Sequence, residues 1–260
     1  MARDGEPEGA TNAEATSAPH DDDAGRLNRR ELCTGVASVA FAALLSGTAA
    51  FARPPVEKGP FLAPDLVELI TLDPSLKLDI RYATRDNFLG VVLYPEARAF
   101  MQRPAAEALV RAHRALRRHG LGLMIFDAYR PWRVTKLMWD NARPEWRKGG
   151  YVADPDKGSR HNRGCAVDLT LFERATGQPL DMPTGYDDFH EQAHAESPNV
   201  TPKAKANREL LQRVMLAQGF RILPEEWWHF DYKDYPHYGI LDIDFAHVET
   251  RAGASTRQKR

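Results

Sequence analysis

The chain has 260 residues, and its 35 Lys and Arg against 36 Asp and Glu leave a formal net charge of −1. Balanced charge without a basic stripe interleaved with aromatics gives no footprint for nucleic acid or an anionic surface, and favours a small-molecule partner. Two cysteines, Cys33 and Cys165, are too few for a disulfide framework.

Residues 1–28 hold almost no large apolar side chains, the composition of a disordered extension. Residues 29–52 read as a twin-arginine-type signal: Arg29-Arg30 leads into a small-residue run from Thr34 to Ala50, and Ala50-Phe51-Ala52 offers a cleavage site. The run is short and weakly hydrophobic for a membrane span. The expectation is export to the periplasm through the twin-arginine machinery, with no stable membrane association after cleavage; an uncleaved anchor is the alternative. Residues 53–248 then form a single domain, and 249–260 a polar tail.

Leu76, Leu78, Ile80 and Tyr82 alternate with polar residues, which predicts a half-buried strand over 76–82. Pro104 opens a helix through about His119 with Gly120 as its stop, and Leu121 to Phe126 reads as a buried strand that delivers Asp127-Ala128-Tyr129-Arg130-Pro131. A second helix is expected over Trp132 to Ala142. A third is capped by Thr201, starts at Pro202 and closes at Gly219. Short strands around 167–172, 220–223 and 228–232 complete an α+β class: a small, mostly antiparallel sheet with helices packed against it. Cys165, at the start of an apolar run, reads as a small buried residue.

A hydrolytic zinc site needs three protein ligands, a fourth position for water and a nearby carboxylate to take the proton. His161, Asp168 and His229 fit as ligands, with Glu226 as the base. His161 and Asp168 are an odd number apart, so one uniform strand cannot aim both at a metal; a turn at Gly164 would place His161 on a loop and Asp168 on the next strand. Glu226 and His229, three apart, separate on a strand, which predicts a turn or bulge at Glu226-Trp227, with His229 opening the strand. Trp227 and Trp228 divide into one core residue and one substrate wall. His113 and His119 read as surface residues. Arg130, held by Asp127, is the candidate for stabilising negative charge on the former carbonyl oxygen.

Ser-x-His-x-x-Gly-x-Ala-x-Asp at Ser159 to Asp168 followed by Glu-x-x-His at Glu226 to His229 resembles the D-alanyl-D-alanine metallopeptidases. The stretches Asp79-Ile80-Arg81-Tyr82-Ala83-Thr84, Ile125 to Pro131 and Leu180-Asp181-Met182 bring the resemblance closer to the D-alanyl-D-alanine dipeptidases of the vancomycin-resistance type. It covers roughly Leu66 to Asp244. It implies a zinc D,D-peptidase fold and one zinc ion on His161, Asp168 and His229. It also implies Glu226 as general base, Arg130 as transition-state stabiliser, and free D-alanyl-D-alanine as substrate. Ser159, Asp187, Tyr129 and Trp228 are the further candidates for substrate contact. Two alternatives stay open: a D,D-carboxypeptidase or endopeptidase acting on peptidoglycan stems, and a zinc-bearing binding module without catalysis.

Overall fold

The computed structural model describes residues 53–248. The expected extension, twin-arginine segment and polar tail lie outside the described residues. Among the described residues no helix is long and apolar enough to cross a membrane.

Among the described residues seven strands form two sheets. β1 (Leu66–Glu68) pairs antiparallel with β3 (Phe100–Gln102). The larger sheet runs β2 (Lys77–Leu78), β4 (Leu121–Asp127), β5 (Ala166–Glu173), β7 (Glu226–Tyr232) and β6 (Phe220–Leu223) in that spatial order. Only β2 lies parallel to its neighbour, so the sheet is mixed but mostly antiparallel. Helix α1 (Leu69–Leu72) is a single turn; α2 (Arg103–Leu116) packs on β4, α3 (Trp132–Asn141) and α4 (Pro144–Lys148) follow, and α5 (Pro202–Leu216) packs on α2, β5 and β6.

The local signals have visible physical causes. Gly120 adopts a left-handed φ of 69° after the 3-10 turn that ends α2, and the Thr201 side chain accepts a 3.1 Å bond from the Ala204 amide at the start of α5. Alternate residues of a strand face opposite sides, so β5 turns Val167, Leu169 and Leu171 to one fully buried apolar face and Asp168 and Thr170 to the other.

Three expectations need correction. The strand over 76–82 shrinks to Lys77–Leu78, because the chain turns into a 3-10 helix at Arg81–Ala83; the alternation survives as burial of Leu76, Ile80 and Tyr82. The short helix α4 and the β1–β3 pair were not anticipated. His113 is not a surface residue: it is fully buried on α2. Its Nδ1 accepts from the Leu123 amide at 3.0 Å, so Nε2 holds the proton and donates to Ser75 Oγ at 2.9 Å. Ser75 donates onward to Asp73 at 2.6 Å, and Arg114 and Arg117 hold the other oxygen of that carboxylate.

Burial pushes the His113 imidazole down to about 4. The unfolded chain takes up a proton that folded His113 refuses, so stability should decline as pH falls from about 6.5 to about 4. Urea unfolding of the metal-free chain across that window measures the slope. His113→Gln should flatten it, and an unchanged slope would remove His113 as its source.

Candidate active site

Asp168 sits in mid-sheet, and the register places Asp127 of β4 opposite it on one side and His229 of β7 on the other. Directly opposed residues of paired strands share a face, so the three carry their side chains to the same side. Asp127 reaches that row through a bulge. Ile125 pairs with Leu169 but Asp127 pairs with Asp168, which leaves Phe126 as an extra residue; without it Asp127 would share the apolar face of Leu169. On β7, Ile222 pairs with Phe230 while Leu223 pairs with Glu226, so Trp227, Trp228 and His229 bulge away from β6. The strand therefore opens at Glu226, not at His229, and the bulge brings the Glu226 carboxylate within 3.8 Å of His229 Nδ1.

His161 arrives from outside the sheet, in a 3-10 turn over His161–Arg163 that ends at Gly164 with φ 68°. A side chain at Gly164 would be strained by that φ and would place its Cβ 2.6 Å from a Leu66 methyl. The result is a cluster of three buried donors. His229 Nδ1 lies 3.0 Å from Asp168 Oδ1, His161 Nε2 lies 3.1 Å from His229 Nδ1, and His161 Nε2 lies 3.4 Å from Asp168 Oδ1. Tetrahedral zinc with bonds of about 2.0–2.1 Å needs donor atoms about 3.3 Å apart. The donor set and its spacing fit that ion.

The outward-facing atoms of all three are satisfied. His161 Nδ1 bonds the Ala128 carbonyl at 2.7 Å, His229 Nε2 bonds Asp231 Oδ1 at 2.9 Å, and Tyr186 donates to Asp168 Oδ2 at 2.9 Å. Burial alone would raise Asp168, but His161 and His229 outweigh it and hold the carboxyl well below its ordinary range. Burial, with Asp168 close by, pushes Glu226 up to about 7. Arg130 donates through Nε and Nη2 to Asp127 at 2.9 and 2.7 Å, approaches Asp168 Oδ2 at 4.0 Å and lies over the Tyr82 ring. Burial opposes its charge, yet Asp127 and the surrounding tyrosines keep the guanidinium firmly protonated.

His161, Asp168, His229, Glu226 and Arg130 line a cavity of about 410 Å³ whose wall also includes Ser159, Asp187 and Trp228. The Ser159 hydroxyl accepts from the His161 amide at 3.2 Å and so braces the turn. Trp228 walls the cavity, whereas Trp227 is anchored in the core by a 3.0 Å bond to Thr184 Oγ1. Asp187 holds a left-handed φ of 58°, accepts from Tyr82 at 3.1 Å, and keeps its Oδ2 buried without a partner among the described residues. Burial, then Asp168 and Glu226, raises its carboxyl well above the ordinary range. Tyr129 is a correction: it does not line the cavity, and its hydroxyl is tied to the backbone of Ile243, donating at 3.0 Å and accepting at 2.7 Å. Sequence reasoning missed Asp231, Tyr82 and Tyr186. Asp231, two positions from His229 on a strand, carried a legible signal; Tyr186 carried none.

Fold and site together define a metal-dependent peptidase. The chain belongs to the D-ala-D-ala dipeptidase family, whose model matches residues 63–250. It is 38% identical over 182 residues to a D-alanyl-D-alanine dipeptidase of Escherichia coli (strain K12), covering 70% of this chain and 92% of that protein. A D-alanyl-D-alanine dipeptidase of Streptomyces coelicolor (strain ATCC BAA-471 / A3(2) / M145) is 34% identical, over 63% of this chain and 89% of its own length. The solved LdcB LD-carboxypeptidase aligns at 21% identity with a TM-score of 0.39, covering 67% of this chain and 71% of that one.

Zinc added to the metal-free chain should raise its melting temperature, because an ion that binds the folded state alone stabilises it. Asp168→Ala should abolish most of that rise. An equal rise in the variant would place the ion elsewhere.

Proposed function

We propose that the chain hydrolyses free D-alanyl-D-alanine to two D-alanines with one zinc ion held by His161, Asp168 and His229. The observation that carries this reading is the convergence of those three donors within 3.4 Å of one another, beside a buried carboxylate and a buried guanidinium. Zinc bound there supplies a Lewis acid that polarises a carbonyl and makes water nucleophilic near neutral pH. Glu226, 3.8 Å from His229 and lining the cavity, accepts the proton from the attacking water and hands it to the leaving amine. Arg130, immobilised by Asp127, donates to the oxygen on which negative charge develops. Asp187, among the residues that line the cavity, is the candidate contact for a substrate terminus, and Trp228 limits the room beside it. A cavity of about 410 Å³ suits a dipeptide better than a long stem.

Export completes the reading. Arg29-Arg30 and the following small-residue run support delivery through the twin-arginine machinery to the periplasm, where released wall dipeptide would be the substrate for turnover or salvage.

Glu226→Ala should abolish turnover while keeping its zinc, since Glu226 is not a ligand; loss of the metal would reassign the residue. Arg130→Ala should lower kcat by about two to three powers of ten, and a normal rate would end its role. Free D-alanyl-D-alanine should be cleaved far faster than a pentapeptide stem ending in D-Ala-D-Ala. The reverse preference would favour a carboxypeptidase.

A further inference from the structure

The two histidines of the cluster present different nitrogens. His161 offers Nε2 and rests its Nδ1 on a neutral carbonyl, that of Ala128. His229 offers Nδ1 and rests its Nε2 on a charged carboxylate, that of Asp231. Asp231 follows His229 by two positions on β7, so both side chains leave the same face of the strand. Its second oxygen meets Arg160 Nε at 3.3 Å, and the Arg160 guanidinium lies over the Tyr235 ring, 5.2 Å from its centroid, at the wall of the cavity. The buried carboxylate is therefore compensated on both sides and fixed in orientation.

We infer that Asp231, clamped by Arg160, is the positioning residue that sets the tautomer of His229 and strengthens it as a metal ligand. An ionised carboxylate can only accept, so Asp231 holds a ring proton on Nε2; with zinc bound, the Nδ1 lone pair would then be the one left for the ion beside His161 and Asp168. The anion also makes the ring a better electron donor than a carbonyl would. Arg160 joins the cavity wall to this support, so the ligand geometry depends on a residue of that wall. The inference rests on the metal site proposed above and concerns its tuning.

The test is zinc affinity of the full chain, read by competition with a chromogenic chelator, together with the nitrogen NMR signature of the His229 ring. Zinc binding by the unaltered protein tests the site itself; the ratio of variant to parent tests the role of Asp231. Asp231→Ala should bind zinc about 10–100-fold more weakly, with the His229 proton no longer confined to Nε2. Asp231→Asn, which keeps an acceptor oxygen, should recover part of the loss. If Asp231→Ala does not fold, Arg160→Gln decides, with a smaller but several-fold weakening expected. Parental affinity and an unchanged ring signature in whichever variant folds would overturn the inference.

Discussion

The site depends on a single row of side chains across three strands. Asp127, Asp168 and His229 stand opposite one another in β4, β5 and β7: the β5–β7 pairing is regular, and a bulge at Phe126 brings Asp127 into the row. A slip of one residue in either strand would turn a carboxylate or an imidazole to the other face of the sheet. His161 and Arg130 are then added from the loops that meet the ends of those strands, and Arg130 depends on Asp127 for its place.

Such a concentration of buried charge is stable only when its polar atoms are paired. The pairing is nearly complete: Tyr94 donates to the oxygen of Asp127 that Arg130 leaves free, Tyr186 serves Asp168, and Asp231 and Ala128 serve the two imidazoles. Asp187 is an exception, with a left-handed backbone and one buried oxygen that has no partner among the described residues. The core beneath, with Val167, Leu169, Leu171 and Phe230 excluded from solvent, gives these groups rigid strands to stand on.

Much of this was legible in the chain. The odd spacing of His161 and Asp168 demanded a break at Gly164, and a left-handed glycine provides it. The spacing of Glu226 and His229 demanded an irregular strand, although the irregularity extends further than expected and the strand begins earlier. The helix bounded by Pro104 and Gly120 and the one capped by Thr201 followed from local backbone chemistry. What the sequence hid was long-range. His113 looked exposed because its neighbours on the helix are arginines, yet its ring is needed by the Leu123 amide ten residues away. Tyr129 was a candidate substrate contact, but Ile243, distant in sequence, claims its hydroxyl. Tyr186 is recruited to Asp168 by a loop whose path no periodicity encodes.

The central claim is that His161, Asp168 and His229 share one ion. Anomalous X-ray scattering at the zinc absorption edge, from crystals of the zinc-loaded protein, tests it most directly. The account requires one strong peak within bonding distance of His161 Nε2, Asp168 Oδ1 and His229 Nδ1. A peak bound to other residues, or none at this cluster in a protein that retains its zinc, would contradict it.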